Sequence, residues 1–200
     1  MKYLPKILIV SRLCIGILLV ALSLLHISNY NVIAAILFSI GLLTDIFDGI
    51  IARRLNISTQ SLRRMDSTVD QVFFILVAIA TFIESAAFFH DNYIKLIILI
   101  VVEAATYLVC FIKFKKEVAT HSIGAKVWTL VLFATIIQIM LTFNSNVLFE
   151  ICFYLGIATR LEIIAILLII PNWTNDIPSV YQAVLLRKGK PIKRHKLFNG

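Results

Sequence analysis

Four aspartates stand in two closely spaced pairs on either side of one short segment of the sequence. Asp45 and Asp48 are three residues apart, and Asp66 and Asp70 are four residues apart. On a helix, either spacing places both side chains on one face. Because the segment between the pairs is short, we expect two neighbouring helix ends on which four carboxylates converge. Carboxylate-only ligation suits hard cations such as Mg²⁺, Mn²⁺ or Ca²⁺.

Such a carboxylate cluster is suited to phosphoryl transfer, because two bridged divalent ions neutralise charge on the attacking and leaving oxygens. The alternative is that the aspartates face water or pair with arginines of the same segment, which are Arg53, Arg54, Arg63 and Arg64. One aspartate at a helix end would favour that alternative. Two helically spaced pairs beside one loop favour a metal site, because ionisable residues in apolar segments are costly to retain.

The elements that must position these aspartates are membrane helices. Of 200 residues, 60 % are hydrophobic and 15 % are charged, whereas a soluble domain is about 25 % charged. The composition excludes a soluble globular domain, a disordered chain and a disulfide scaffold. A transmembrane helix needs about 20 mainly apolar residues, so we expect an all-α polytopic membrane protein with six transmembrane helices. The predicted spans are Ile7–His26, Val32–Ala52, Val69–Phe89, Tyr93–Ile112, Val127–Phe143 and Leu148–Ile170.

The distribution of cationic residues predicts the orientation of these spans. Seventeen of the nineteen Lys and Arg residues fall at the N-terminus, in the second and fourth loops, or in the tail. The opposite side carries only Lys95, and Arg160 lies within the sixth span. The positive-inside rule therefore places both termini and the aspartate site on the cytoplasmic side of an inner or cytoplasmic membrane. We attribute the net charge of +8 to topology and anionic lipids rather than to nucleic acid.

We expect one transmembrane domain over residues 1–200, in which residues 172–200 form a cytoplasmic tail. The first apolar run lacks a small-residue cleavage signature, so we interpret it as a retained helix and not as a signal peptide. The basic tail is either an interfacial segment on an anionic leaflet or an ordinary topology-setting tail. Three cysteines lie in apolar runs without metal-site spacing, and we expect them to be buried apolar side chains: Cys14, Cys110 and Cys152.

The segment around the aspartates resembles the signature of the CDP-alcohol phosphatidyltransferase family, D-x2-D-G-x2-A-R-x8-G-x3-D-x3-D. Seven of its eight defined positions are matched, by Asp45, Asp48, Gly49, Ala52, Arg53, Asp66 and Asp70. At the eighth position, Leu62 replaces the second glycine. Outside the signature, the six spans and an arginine in the first of them, Arg12, are also similar to the family. The stretch SIGAKVWT at Ser122–Thr129 is an imperfect version of the family's GKxKT-like element.

The resemblance implies a reaction and a role for each signature residue. A phosphatidyl or related phospho-alcohol group would pass from a CDP-linked donor, such as CDP-diacylglycerol, to an alcohol, with release of CMP, in phospholipid biosynthesis. Two Mg²⁺ or Mn²⁺ ions would be held by the first three aspartates, and Asp70 would be both a ligand and the general base. The CDP moiety would contact Gly49, Ala52 and Arg53. The resemblance also implies a homodimer in the lipid bilayer.

The replacement at Leu62 bears on the donor pocket. A leucine four residues before Asp66 stacks one helical turn from an expected metal ligand. We expect Leu62 to narrow or reshape the donor pocket, so that Leu62→Gly improves affinity for CDP-diacylglycerol. In the alternative account, small neighbours such as Ser61 and Ser67 make room, and Leu62 packs against the second helix.

Charged residues in the later spans are candidates for binding the acceptor. Arg160 in the sixth span and Lys126 at the start of the fifth would bind an acceptor phosphate in a polar cavity. The alternatives for Arg160 are an intramembrane ion pair and a side chain that snorkels to the interface. Glu162 interrupts the same span, and Glu103 interrupts the fourth.

Three residues of the loops are weaker candidates. Arg63 and Arg64 would contact phosphate, although a solvated positive-inside loop is the simpler interpretation. His121 would belong to a cytoplasmic site, with a plain loop histidine as the alternative.

Two other functions remain open beside the transferase. Intramembrane prenyltransferases also use Asp-rich metal sites for a pyrophosphate, but their two motifs usually lie far apart in the chain. A non-catalytic membrane protein that retains the fold is supported only by Leu62. The acceptor also stays open among glycerol 3-phosphate, inositol phosphate, serine, a second lipid and another polar alcohol.

Overall fold

The computed structural model describes residues 4–55, 59–118, 122–175 and 177–191, except for the side chains of Arg53, Gln60, Ser61, Arg63 and Arg64. Within these ranges every regular element is a helix, which confirms the all-α prediction. The helices are α1 (Leu4–Leu24), α2 (Tyr30–Arg54), α3 (Gln60–Glu84), α4 (Ala86–Asp91), α5 (Tyr93–Phe114), α6 (Ile123–Thr142), α7 (Val147–Ile169) and α8 (Val180–Arg187).

Six of these helices are long and apolar enough to cross a membrane, in agreement with the six predicted spans. The largest correction concerns the third span, which the sequence placed at Val69–Phe89. Helix α3 begins nine residues earlier, at Gln60, and ends at Glu84. The early start is stabilised by Thr59, whose hydroxyl oxygen accepts a hydrogen bond from the Leu62 amide at 3.2 Å. Leu62, Met65 and Val69 give these first turns an apolar face, but most other residues of the turns are polar or charged, so the predicted membrane span began later.

The chain divides into two compact units, and the first comprises residues 1–90 and 136–144. In this unit α1 packs against both α2 and α3. Two glycines permit the close approach of α3. A Cβ added to Gly41 would lie 2.4 Å from Phe73 Cζ, and one added to Gly16 would lie 2.9 Å from Leu76 Cδ1. Small residues at helix interfaces serve this purpose in membrane proteins, and here they bring together the helices that carry the aspartates.

The second unit comprises residues 91–135 and 145–200. Its central element is α7, which packs against α5 and α8. The Lys113 ammonium group of α5 donates hydrogen bonds to three carbonyls at the end of α7, those of Leu167, Leu168 and Ile170, at 2.8–2.9 Å. These carbonyls lack helical partners, so the lysine caps the helix.

The predicted tail contains α8, whose Ala183 packs with the buried residues Ile166, Ile170 and Ile177. Its association with a lipid surface stays a prediction. The expectation of buried cysteines is confirmed for Cys110 and Cys152 and wrong for Cys14, whose side chain is exposed on α1.

Candidate metal centre

The four aspartates of the first unit lie where α2 ends and α3 begins. Asp45 and Asp48 are in the last three turns of α2, and Asp66 and Asp70 are in the first three turns of α3. Carboxylate oxygens of Asp45, Asp48 and Asp66 all lie within 4.8 Å of one another. The predicted convergence is therefore present in the fold. Asp48 is buried, with 3 % of its side chain exposed, whereas the other three are about one third exposed.

A buried arginine from α1 lies at the centre of this cluster. Arg12 is only 1 % exposed, and its guanidinium group forms ion pairs with all four aspartates. Its Nη1 atom lies 3.1 Å from Asp45 Oδ1 and 3.3 Å from Asp66 Oδ1, and it also contacts Asp70 Oδ1. Its Nη2 atom donates a hydrogen bond to Asp48 Oδ2. Arg12 was not among the site residues predicted from the sequence.

Among the described side chains, the carboxylates of this cluster outnumber the cations that contact them. One guanidinium group contacts four carboxylates, so up to three negative charges are left there when all four are ionised. Burial of such groups is costly unless further cations compensate them. Opposite ligands of an octahedral Mg²⁺ are about 4.2 Å apart, twice the metal–oxygen distance of about 2.1 Å. The oxygens of the three clustered aspartates lie within 4.8 Å of one another, an upper limit slightly above this distance, and an all-oxygen donor set is the one that hard divalent ions prefer. The residues present therefore fit a divalent cation.

The other signature residues follow on α2. Gly49 is adjacent to Asp48 and half-buried, and Ala52 is buried one turn further along. Arg53 lies in α2, but its side chain is outside the described part, as are the side chains of Arg63 and Arg64.

Leu62 lies in a buried hydrophobic cluster with Ile9 of α1 and Ala52 of α2, and Met65 and Val69 pack against that cluster. Only 9 % of its surface is exposed. This packing favours the second account of the leucine, in which it contacts the neighbouring helix and forms part of the structure.

Accordingly, we now expect Leu62→Gly to lower the free energy of unfolding by about 3–5 kcal/mol, because it opens a cavity and places glycine in a helix. Thermal unfolding in detergent measures this, and the matched control is Leu62→Met, which keeps the volume and costs less than about 1.5 kcal/mol. A Leu62→Gly protein of unchanged stability that binds CDP-diacylglycerol more tightly would restore the first account.

A cavity of about 200 Å³ lies within the second unit, and its lining includes Glu103, Tyr107, Lys126, Trp128, Thr129 and Arg160. The structure thus brings Lys126 and Arg160, two candidates from the sequence, to one cavity. Arg160 forms an ion pair with Glu103 through its Nε atom. Its guanidinium carbon also lies 4.6 Å from the centroid of the Trp128 ring. The intramembrane ion pair considered for Arg160 is therefore present, inside a cavity that also offers a second cation.

Glu162 has a different role from its neighbour Arg160. Its Oε2 atom accepts a hydrogen bond of 2.8 Å from the Ser122 hydroxyl, whose oxygen accepts one from the Ala125 amide. This network caps the first turn of α6, which carries Lys126. Gly124 leaves room for the Glu162 carboxylate, because a Cβ added at this position would lie only 2.9 Å from Glu162 Oε2. The stretch singled out in the sequence is thus the start of α6. His121 lies outside the described residues.

Fold and site together define an all-helical membrane protein with a carboxylate-rich, metal-compatible centre. The family model for CDP-alcohol phosphatidyltransferase matches residues 2–171. The chain therefore belongs to the CDP-alcohol phosphatidyltransferase family, a family of membrane transferases in phospholipid biosynthesis that transfer a phospho-alcohol group from a CDP-alcohol. This membership removes the prenyltransferase alternative. Neither the curated proteins nor the solved structures contain a significant match to the chain.

Proposed function

We propose that the protein transfers a phosphatidyl group from CDP-diacylglycerol to a polar alcohol and releases CMP, with Mg²⁺ or Mn²⁺ as cofactor. One observation carries this proposal: the four signature aspartates converge around one buried centre, with three carboxylates within 4.8 Å of one another. A preserved ligand set of this kind also argues against a non-catalytic protein.

Each residue of the centre has a chemical task in this reaction. Asp45, Asp48 and Asp66 would hold the divalent cations, with Asp70 as a further ligand. When bound, the ions supply charge neutralisation for the pyrophosphate and the departing CMP.

Gly49 lets the nucleotide approach the backbone, since no side chain intervenes, and Ala52 adds only a methyl group beside it. Arg53 offers paired donors to a phosphate. Asp70 accepts the proton of the attacking hydroxyl group.

Lys126 and Arg160 would bind the acceptor in the cavity of the second unit. A guanidinium group donates two parallel hydrogen bonds to a phosphate, and a lysine adds a compact positive charge. A cavity with two cations and one carboxylate favours a phosphorylated alcohol over a neutral one. Glycerol 3-phosphate and inositol phosphate fit this description better than serine does.

The proposed reaction is tested with purified protein, CDP-diacylglycerol and a panel of acceptor alcohols. We expect CMP release that requires Mg²⁺ or Mn²⁺ and one acceptor, with the lipid product identified by mass spectrometry. Asp48→Asn provides the inactive control. No CMP release with any acceptor, from a protein that is folded and binds metal, would indicate a non-catalytic member of the family.

For the acceptor site, we expect Arg160→Gln to raise KM for a phosphorylated acceptor about 10- to 100-fold, because a charged hydrogen-bonding group is lost. The KM for CDP-diacylglycerol should stay within about threefold of the wild-type value. Glu103→Gln is the matched control, since it removes the ion pair and keeps the cation. An acceptor KM that is unchanged in Arg160→Gln would assign Arg160 to structure alone.

We also propose that both termini and the metal centre face the cytoplasm of an inner or cytoplasmic membrane, on the basis of the seventeen cations at alternate loops. Labelling of a cysteine added after Gly200 in inside-out and right-side-out vesicles tests the orientation. The homodimer implied by the resemblance is tested by light scattering of the detergent-solubilised protein.

A further inference from the structure

Arg12 lies where a cation bound by the cluster would be expected. The Nη1 atom has two hydrogens but faces three carboxylates, those of Asp45, Asp66 and Asp70. It therefore acts on them mainly as a positive charge, since three good hydrogen bonds from one such nitrogen are not available. The Nε atom of Arg12 is buried and has no hydrogen-bond partner among the described residues. The two terminal nitrogens of Arg12 therefore make the contacts with the carboxylates, and Nε makes none of them.

We propose that Arg12 is an internal counter-cation that competes with the divalent ion for the carboxylates of Asp45, Asp48 and Asp66. This inference rests on the proposed metal site. Arg12 holds the cluster together when no ion is bound, and its guanidinium group gives up part of its contacts when an ion enters.

Two physical effects make the competition unavoidable. The guanidinium group contacts Oδ atoms of the same three aspartates whose carboxylate oxygens are clustered closely enough to ligate one ion. A positive charge about 4 Å from a divalent ion also repels it strongly, even at an effective dielectric constant of about 20. Metal affinity is therefore lower with Arg12 in place than without it.

The same contacts give Arg12 the opposite effect on the metal-free protein. Without the guanidinium group, four carboxylates of one small region would repel each other, and Asp48 would be buried without a counter-charge. Removal of one partner from a buried ion pair is strongly destabilising. Because Arg12 is on α1 and its partners are on α2 and α3, its ion pairs also connect the three helices of the first unit. Arg12 thus lowers the affinity for the metal and raises the stability of the metal-free protein.

The experiment measures Mn²⁺ binding and thermal unfolding of the full-length protein in detergent, with no substrate present. For Arg12→Gln, we expect the dissociation constant of Mn²⁺ to fall by at least about tenfold. The unfolding temperature without metal should also fall, and saturating Mn²⁺ should raise it by more than in the wild type. Lys6→Gln is the matched control, because it removes an equal charge from an exposed position of the same helix and should change neither quantity.

A second variant covers the case in which Arg12→Gln does not fold. Arg12→Lys keeps the charge, but its single nitrogen cannot reach all four carboxylates, so we expect intermediate Mn²⁺ affinity and intermediate stability. Weaker or unchanged Mn²⁺ binding in the folded variants would overturn the competition and make Arg12 a residue that positions the ligands. Absence of Mn²⁺ binding from wild type and variants alike would instead refute the proposed metal site itself. Binding by a variant and not by the wild type would support the competition in its strongest form.

Discussion

Replacement of Asp45, Asp48 or Asp66 by asparagine is expected to reduce metal-dependent CMP release to background while the protein remains inserted in the membrane. Asparagine keeps the size of the side chain and one oxygen, but it removes the negative charge that makes a carboxylate a ligand of a hard cation. We expect the most severe loss for Asp48, which is the buried member of the three and contacts Arg12 through Nη2.

Membrane insertion is verified by fractionation and by thermal unfolding, and CMP release is measured across a range of Mg²⁺ concentrations. The control is Glu150→Gln, which removes one carboxylate from the second unit, where Glu150 pairs with Lys95. This variant should retain wild-type turnover. Full activity in any two of the three aspartate variants would refute the metal cluster.

Much of this centre could be predicted from the sequence because its parts are local. The pairs at three- and four-residue spacing lie on two helices joined by one short connection, so helical periodicity alone predicts that they meet. The long apolar runs likewise indicate the spans, since few other sequences keep apolar side chains over about 20 residues. The third span was predicted to begin at Val69 because the turns before it are rich in polar residues, whereas the helix itself begins after the cap at Thr59.

The position of Arg12 could not be predicted in the same way, because its partners lie 33 to 58 residues further along the chain. In the sequence, Arg12 is one of the cations that set topology, and it is also an arginine of the first span that is similar to the family. The available signal was its depth in an apolar run, where an ionisable residue is expensive and usually has a partner. The same holds for the Arg160–Glu103 ion pair, because both residues interrupt apolar runs but nothing in the sequence relates one to the other.

The effect of Leu62 depends on its packing and cannot be predicted from the signature motif alone. The signature gives the residue type that relatives carry at this position, and from that alone a leucine is expected to intrude on the donor. The structure adds the contacts with Ile9 and Ala52, which depend on how α1 and α2 pack. How Leu62 affects the donor pocket therefore depends on these packing contacts as well as on its position in the motif.

The last prediction concerns Asp70, whose role differs from that of the other three aspartates. It lies outside the group of three carboxylates that are within 4.8 Å of one another, and its side chain is partly exposed, as are those of Asp45 and Asp66. One of its oxygens, Oδ1, contacts Arg12 Nη1. A partly exposed carboxylate beside the three clustered ones is suited to accept a proton from an incoming hydroxyl group. We expect Asp70→Asn to lower kcat at least about a hundredfold at saturating Mg²⁺, the lower end of the range for a general base.

Parallel measurements separate the loss of a base from the loss of a ligand. If Asp70 is mainly the base, the Mn²⁺ dissociation constant of Asp70→Asn should change far less than that of Asp66→Asn, one turn away on α3. Asp70→Glu keeps a carboxylate and should recover part of the turnover, whereas no amount of Mg²⁺ should rescue Asp70→Asn. Full recovery of Asp70→Asn when Mg²⁺ is raised would reduce Asp70 to a metal ligand. The proton of the acceptor alcohol would then have to pass to another group.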